Sequence, residues 1–118
     1  MKINEFLKKH PTTENNHLRP LVICKDGLAL SVQASYYHYC TPEKNNAPEY
    51  STVEIQPQNR KKLRSLREYQ DRDSVYAFVP VEKLDALIKW HGGMQEEAVC
   101  LPRQGGWYEI RHIHRQEF

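Results

Sequence analysis

The sequence has no apolar run that approaches the ~20 residues needed to cross a bilayer, so we expect neither a transmembrane helix nor a membrane partner. Its first ten residues are too charged for the core of a signal peptide, which favours a cytoplasmic location. The chain also lacks a large excess of positive or negative charge. The chain has 17 Lys and Arg against 15 Asp and Glu, a net charge of +2, far from the balance of a dedicated nucleic-acid coat protein.

Cysteine is also scarce. Cys24, Cys40 and Cys100 lack the C-x-x-C spacing of common zinc and redox sites, and an odd number leaves at least one thiol unpaired in a monomer. We therefore expect free thiols in a reducing compartment. The sequence shows no phosphate loop, nucleophile elbow, paired-acid motif or metal signature. We accordingly expect no cofactor and a protein that is not an enzyme.

The 118 residues suit one domain, and a chain of this length can bury a core without metal or disulfide bonds. Turn residues and hydrophobic periodicity divide it into short elements. In chain order, the predicted elements are a short helix at 3–9, strands at 21–24, 28–35, 50–56 and 74–79, a helix at 80–91, and a final hairpin of residues 98–101 and 107–114. Asp26-Gly27 predicts a hairpin with a type I′ turn between the first two strands.

Several strands with direct connections and one long helix predict the α+β class. We expect an antiparallel sheet of four to five strands, with one main helix packed on a face and short accessory helices. Within the single domain 1–118, the predicted parts are an N-terminal helix and loop (1–20), a central core (21–93) and a C-terminal hairpin or extension (94–118).

In the second predicted strand, apolar and polar residues alternate. Leu30 and Val32 belong to the row that should face the core, since side chains on a strand alternate between its two faces. Gln33 and Ser35 belong to the opposite row. We therefore predict that these two side chains are exposed and available for a binding contact.

Within residues 21–93, a set of short strings occurs in a specific order. They are Asp26-Gly27, Ser-Val-Gln-Ala-Ser at 31–35, His-Tyr-Cys-Thr-Pro at 38–42, residues 50–55, Val75-Tyr76, Val79-Pro80, and His-Gly-Gly at 91–93. This order resembles a family of small phage and prophage proteins of undefined function. The resemblance implies a phage or prophage context in a bacterial host, and it supplies no catalytic residues.

The main charge run lies at residues 60–67, where Leu63 and Leu66 recur at helical spacing. We predict a short basic amphipathic helix. Its candidate binding residues are Arg60, Lys61, Lys62, Arg64 and Arg67. The interpretation we favour is a solvated helix face, and the functional alternatives are binding to the phosphates of a nucleic acid or to the acidic surface of a protein.

The aromatic residues form a second candidate surface. Tyr36, Tyr37 and Tyr39, with Trp107 and Tyr108, suit either a stacking or protein-binding patch or ordinary packing in the core and sheet, and we favour packing. Of these residues, Tyr36 is included among the candidate binding residues.

Histidine and cysteine offer the remaining chemistry. His38 and Cys40 alternate on one extended segment, and with His91 they would form a metal site or an activated thiol if folding brought them together. The interpretation we favour is structural, with Cys40 buried and His38 bonded to a backbone carbonyl. His38 remains a candidate binding residue. His112 and His114 share a strand face, and we interpret them as exposed histidines near a terminus rather than metal ligands.

Three functions remain, in this order. The first is a phage-derived accessory protein that binds a host protein without catalysis, with inhibition of a host defence system as one form. The second is nucleic-acid or nucleotide binding through residues 60–67. The third is a small enzyme that uses His38 and Cys40. The oligomeric state is open.

Overall fold

The computed structural model describes residues 1–95, 98–102 and 108–112, the last two segments as backbone strands. The protein is α+β, with a four-stranded antiparallel sheet whose strands are neighbours in chain order. The strands are β1 (Val22–Ile23), β2 (Ala29–Gln33), β3 (Thr52–Pro57) and β4 (Tyr76–Pro80), and the helices are α1 (Ile3–Lys9) and α2 (Val81–Trp90). The predicted fold class is confirmed.

The hairpin between β1 and β2 forms where Asp26-Gly27 predicts it, but the turn is not type I′. Gly27 has a φ of 101°, whereas Asp26 is not among the described residues with positive φ. The Gly27 N–H donates to the Cys24 carbonyl at 2.9 Å, and the Cys24 N–H donates to the Leu28 carbonyl at 2.7 Å. This pattern is a three-residue loop with glycine at the left-handed position, which also suits the twist of the strands.

One face of the sheet forms the main core. Leu30 and Val32 of β2 and Val53 and Ile55 of β3 are all fully buried, in the alternation predicted from the sequence. Helix α2 adds its own apolar stripe to the same cluster, with Val81, Leu84 and Ile88 buried. Because strand and helix periodicities both place apolar residues on this side, the helix is fixed against the sheet.

The ends of the helices are held by specific hydrogen bonds. Helix α2 ends in a Schellman motif, in which the Gly93 N–H donates to the Ile88 carbonyl and the Gly92 N–H to the Lys89 carbonyl. Gly92 has a φ of 92°, which explains the glycine at this position. The start of α1 is joined to α2, because the Ile3 N–H donates to Asp85 Oδ1 at 2.8 Å.

The opposite face of β2 is covered, and the predicted exposure of Gln33 and Ser35 is wrong. Gln33 is 2% exposed and Ser35 is fully buried. The segment that carries Arg19 lies against Gln33: the Arg19 N–H donates to Gln33 Oε1 at 2.9 Å, and Gln33 Nε2 donates to the Arg19 carbonyl at 3.2 Å. Ser35 instead contacts His38 and Cys40 of the loop that follows it. Alternation identifies the two faces of a strand, but it does not reveal whether another segment covers the polar one.

The predicted basic helix at residues 60–67 is also wrong in type. The chain instead forms two 3₁₀ helices, Gln58–Arg60 and Arg64–Tyr69, separated by extended backbone at Lys61. Asn59 and Arg60 have positive φ, which interrupts any continuous helix. Leu63 and Leu66 are buried as predicted, because a spacing of three also places residues on one side of a 3₁₀ turn.

The C-terminal part contains the predicted hairpin, with β5 (Ala98–Pro102) paired antiparallel to β6 (Tyr108–His112). The predicted strand residues Trp107, Ile113 and His114 lie outside the described residues. Within the part of the chain that the structure describes, no helix has the length and hydrophobicity required to span a membrane.

Candidate binding groove

A groove of about 630 Å³ lies between the segment of residues 61–66 and helix α2. We call it the basic groove. Its apolar lining consists of Leu63, Leu66, Ala86, Leu87 and Trp90, and its cationic lining of Lys61, Lys62, Arg64 and Lys83; Ser65 and His91 complete it. The groove therefore combines an apolar floor with a rim of positive charge.

The cations of the rim are exposed and differ in how they are held. Lys83 Nζ lies 3.4 Å from Glu68 Oε1 and 5.2 Å from the centre of the Tyr69 ring, and Tyr69 and Glu68 raise the pKa of Lys83. Among the described residues, no ion pair holds Lys61, Lys62 or Arg64. These three charges are therefore available to an acidic ligand.

Trp90 is the most exposed large apolar side chain of the described residues, at 85%. Trp90 follows the buried Ile88 by two residues, so the two side chains are separated by about 200° around the helix axis. Lys83, Leu87 and Trp90 recur at the i, i+4, i+7 spacing and form a second face of α2, directed into the groove. The apolar stripe predicted from the sequence, Val81, Leu84, Leu87 and Ile88, does not reveal this face, because it leaves out Lys83 and Trp90; plotting the helix around its axis reveals it.

The five basic residues predicted from the sequence are all exposed, but they do not form one site. Lys61, Lys62 and Arg64 line the basic groove. Arg60 lines a neighbouring cavity of about 190 Å³, which it shares with Lys61 and Lys62. Arg67 is outside the lining of both.

The tyrosines of residues 36–39 are exposed, so the favoured interpretation that they pack in the core is wrong for this loop. Tyr36 is 64% exposed and Tyr37 65%, and their rings meet edge to face at 5.2 Å. The aromatic residues that do pack in the core include Tyr50 and Tyr76. Trp107 and the side chain of Tyr108 lie outside what the structure describes.

His38 and Cys40 both contact Ser35. Ser35 Oγ lies 2.6 Å from Nδ1 of His38, so the predicted bond from His38 to a backbone carbonyl is replaced by a bond to a hydroxyl. The Cys40 thiol is buried and donates to the Ser35 carbonyl at 3.3 Å. Burial raises the pKa of Cys40, which keeps the thiol protonated, whereas an activated nucleophile requires the opposite shift.

His91 has a different partner. Its Nδ1 lies 2.6 Å from Asp26 Oδ2, which joins the end of α2 to the β1–β2 turn, and this hydrogen bond lowers the pKa of Asp26. No group of three or more His, Cys, Asp or Glu side chains suited to a metal ion occurs within the described part of the chain. The side chains of Cys100, His112 and His114 lie outside it.

We expect the lowered pKa of His38 to make the protein less stable in acid. Burial, together with the positive charges of Arg19 and His17, lowers its pKa to about 4. The unfolded chain, with a histidine pKa of about 6.5, therefore binds a proton that the folded protein excludes. The stabilisation is fully present above about pH 6.5 and declines as the pH falls towards about 4.

Between about pH 7 and pH 4.5, we expect the free energy of unfolding of the wild type to fall by about 1 to 2 kcal/mol more than that of His38→Asn. This range allows for solvent screening at the partly exposed ring. Urea unfolding of both proteins at the two pH values measures the difference. An equal loss in both proteins would show that His38 does not titrate in this way.

Comparisons of the chain with protein-family models, curated proteins and solved structures find no match.

Proposed function

We propose that this is a small phage- or prophage-derived accessory protein that binds a host protein without catalysis, and that the basic groove is its contact surface. The observation that carries the proposal is the groove itself, where exposed cations surround an apolar floor and a tryptophan that is 85% exposed. Tryptophan and arginine are the residue types that contribute most to protein interfaces. Three exposed cations and an exposed tryptophan favour a binding role.

The chemistry of the groove favours an acidic protein segment over a nucleic acid. Contacts to the phosphates of a nucleic acid require only cations, and an apolar floor adds little to their strength. In contrast, Ala86, Leu87 and Trp90 offer a surface for an aliphatic or aromatic side chain, and the rim offers charge partners for flanking Asp or Glu. An acidic amphipathic segment satisfies both parts at once.

The biological setting of the proposal comes from the ordered strings at residues 26–93, which resemble phage and prophage proteins. A small protein that occupies the surface of a bacterial cytoplasmic protein suits stoichiometric inhibition, and an enzyme of host defence is the class of target we propose. Binding of nucleic acid through the same cations is the competing function, since Trp90 could stack on a base.

A tagged pull-down from bacterial lysate tests the proposal, performed with and without nuclease. We compare the wild type with the triple variant Lys61→Ser, Lys62→Ser, Arg64→Ser. The charge-matched control is Lys2→Ser, Lys8→Ser, Lys9→Ser, which removes three exposed cations around α1. We expect one stoichiometric protein that survives nuclease, is retained by the control, and is reduced at least tenfold with the groove variant, since three lost charge contacts amount to about 1.4 kcal/mol or more.

Two results contradict the proposal. Recovery of nuclease-sensitive material alone would favour the nucleic-acid function. A protein partner retained equally by the groove variant and the control would show that binding occurs elsewhere on the molecule.

A further inference from the structure

The second surface of interest surrounds Phe78 in β4. The register between β3 and β4 shifts here, because Val53 pairs with Val79 whereas Ile55 pairs with Tyr76. Two residues of β4 therefore oppose the single residue Glu54, which defines a bulge. Phe78 has a φ of 53°, a conformation that is rare for a bulky side chain, and its ring is 44% exposed.

The conformation and the exposure of Phe78 both reduce the stability of the folded protein. A left-handed backbone at a residue other than glycine costs of order 1 kcal/mol or more, and an exposed phenylalanine recovers little of it through burial. Strained residues of this kind concentrate at functional positions. Phe78 is therefore a candidate for a functional contact on the surface of the protein.

Tyr39 lies beside Phe78, and the backbone of Tyr39 contacts both Phe78 and Glu54. The ring centres of Tyr39 and Phe78 are 5.8 Å apart, and the Phe78 N–H donates to the Tyr39 carbonyl at 3.2 Å. The Tyr39 N–H donates to Glu54 Oε1 at 2.9 Å. The two exposed rings are therefore carried by residues whose backbone is linked by hydrogen bonds to a half-buried carboxylate, in a constellation we call the Tyr39–Phe78 surface.

Carboxylates act electrostatically on Glu54 and on Cys40, the residue next to Tyr39, and the cation that also acts on Cys40, Arg19, is buried. Burial and the neighbouring Asp71 raise the pKa of Glu54, while the hydrogen bond from the Tyr39 N–H opposes the shift. Glu43 and Glu54 both act electrostatically on nearby Cys40. A cation over an aromatic ring is attracted by its π face, and a carboxylate beside the ring strengthens that attraction.

We infer that the Tyr39–Phe78 surface binds an arginine-bearing segment of a partner protein, with the guanidinium over the rings and paired with Glu54. Arginine suits the site because its planar group both stacks on aromatic rings and bonds a carboxylate. The surface shares no residue with the lining of the basic groove, so the inference is independent of the function proposed above.

The test is an NMR titration of the ¹⁵N-labelled full chain with a capped Gly-Arg-Gly-Arg-Gly peptide. The control peptide has citrulline, which is neutral and of nearly the same shape, in place of both arginines. We expect saturable shifts of the Tyr39, Glu54 and Phe78 amide signals, with at least about fivefold weaker binding of the citrulline peptide.

Three variants localise the binding. Phe78→Asn should fold and gain stability, since asparagine accepts the left-handed conformation, and it should weaken binding about fivefold or more. Glu54→Gln retains an acceptor for the Tyr39 N–H and should weaken binding similarly. Tyr36→Ser changes a more exposed tyrosine of the same loop and should leave affinity unchanged. The inference is overturned if the arginine peptide leaves these signals unmoved, if both peptides bind equally, or if Phe78→Asn binds like the wild type.

Discussion

Replacing Arg19 with alanine is expected to lower the free energy of unfolding by about 3 to 5 kcal/mol, a large part of the 5 to 15 kcal/mol typical of a domain. The Arg19 side chain is 1% exposed, and burial lowers the pKa of its guanidinium. Its Nε donates to the Leu7 carbonyl at 3.3 Å, and its Nη1 donates to the Ala34 carbonyl. Arg19 thus joins α1 to the end of β2.

The size of the effect follows from what alanine leaves behind. Two buried carbonyls lose their donor, at about 1 to 3 kcal/mol each, and a cavity replaces the long side chain. Chemical denaturation of the variant measures the loss. Arg19→Met is the matched control, because it fills most of the volume without donating; we expect it to remain destabilised by about 2 kcal/mol. A loss below about 1 kcal/mol for alanine would show that Arg19 does not hold these elements together.

Replacing Trp90 with alanine is expected to weaken binding of the captured host protein by about 30-fold or more, with little change in stability. Loss of a central tryptophan from an interface typically costs about 2 kcal/mol or more, whereas removal of a side chain that is 85% exposed disturbs no core. Titration calorimetry with the purified partner measures the affinity, and thermal unfolding measures the stability.

Tyr37→Ala provides the comparison for Trp90→Ala, because it removes another strongly exposed aromatic side chain from outside the basic groove. We expect its affinity to stay within about twofold of the wild type. Equal weakening by both substitutions, or an unchanged affinity with Trp90→Ala, would remove the groove from the interface.

The fold could largely be predicted because its elements follow local rules. Alternation in residues 28–35, the apolar stripe of residues 81, 84, 87 and 88, and the Gly92-Gly93 pair each specify an element whose form depends on nearby residues. The two 3₁₀ helices could not be predicted this way. The backbone at Asn59 and Arg60 adopts positive φ, which the spacing of Leu63 and Leu66 does not reveal.

Only the cationic part of the candidate site could be predicted from the sequence. The charge run identified the cationic rim, since consecutive Lys and Arg are visible in any sequence. Its apolar floor needs α2 to pack beside residues 61–66, a contact between segments about twenty residues apart. The burial of Gln33 also depends on a distant segment, because the backbone of Arg19 pairs with its side chain. Tertiary contacts of this kind decide which polar and aromatic side chains remain exposed.

The central claim is that the basic groove contacts a host protein, and cross-linking from within the groove tests it most directly. A photoreactive benzoylphenylalanine is placed at position 90 in one protein and, as the control, at the exposed position 9 on α1 in another, and bacterial cells that produce each are irradiated. We expect one protein adduct from position 90, absent from position 9 and lost when Lys61, Lys62 and Arg64 are all serine. Adducts common to both positions, or adducts with nucleic acid alone, would contradict it.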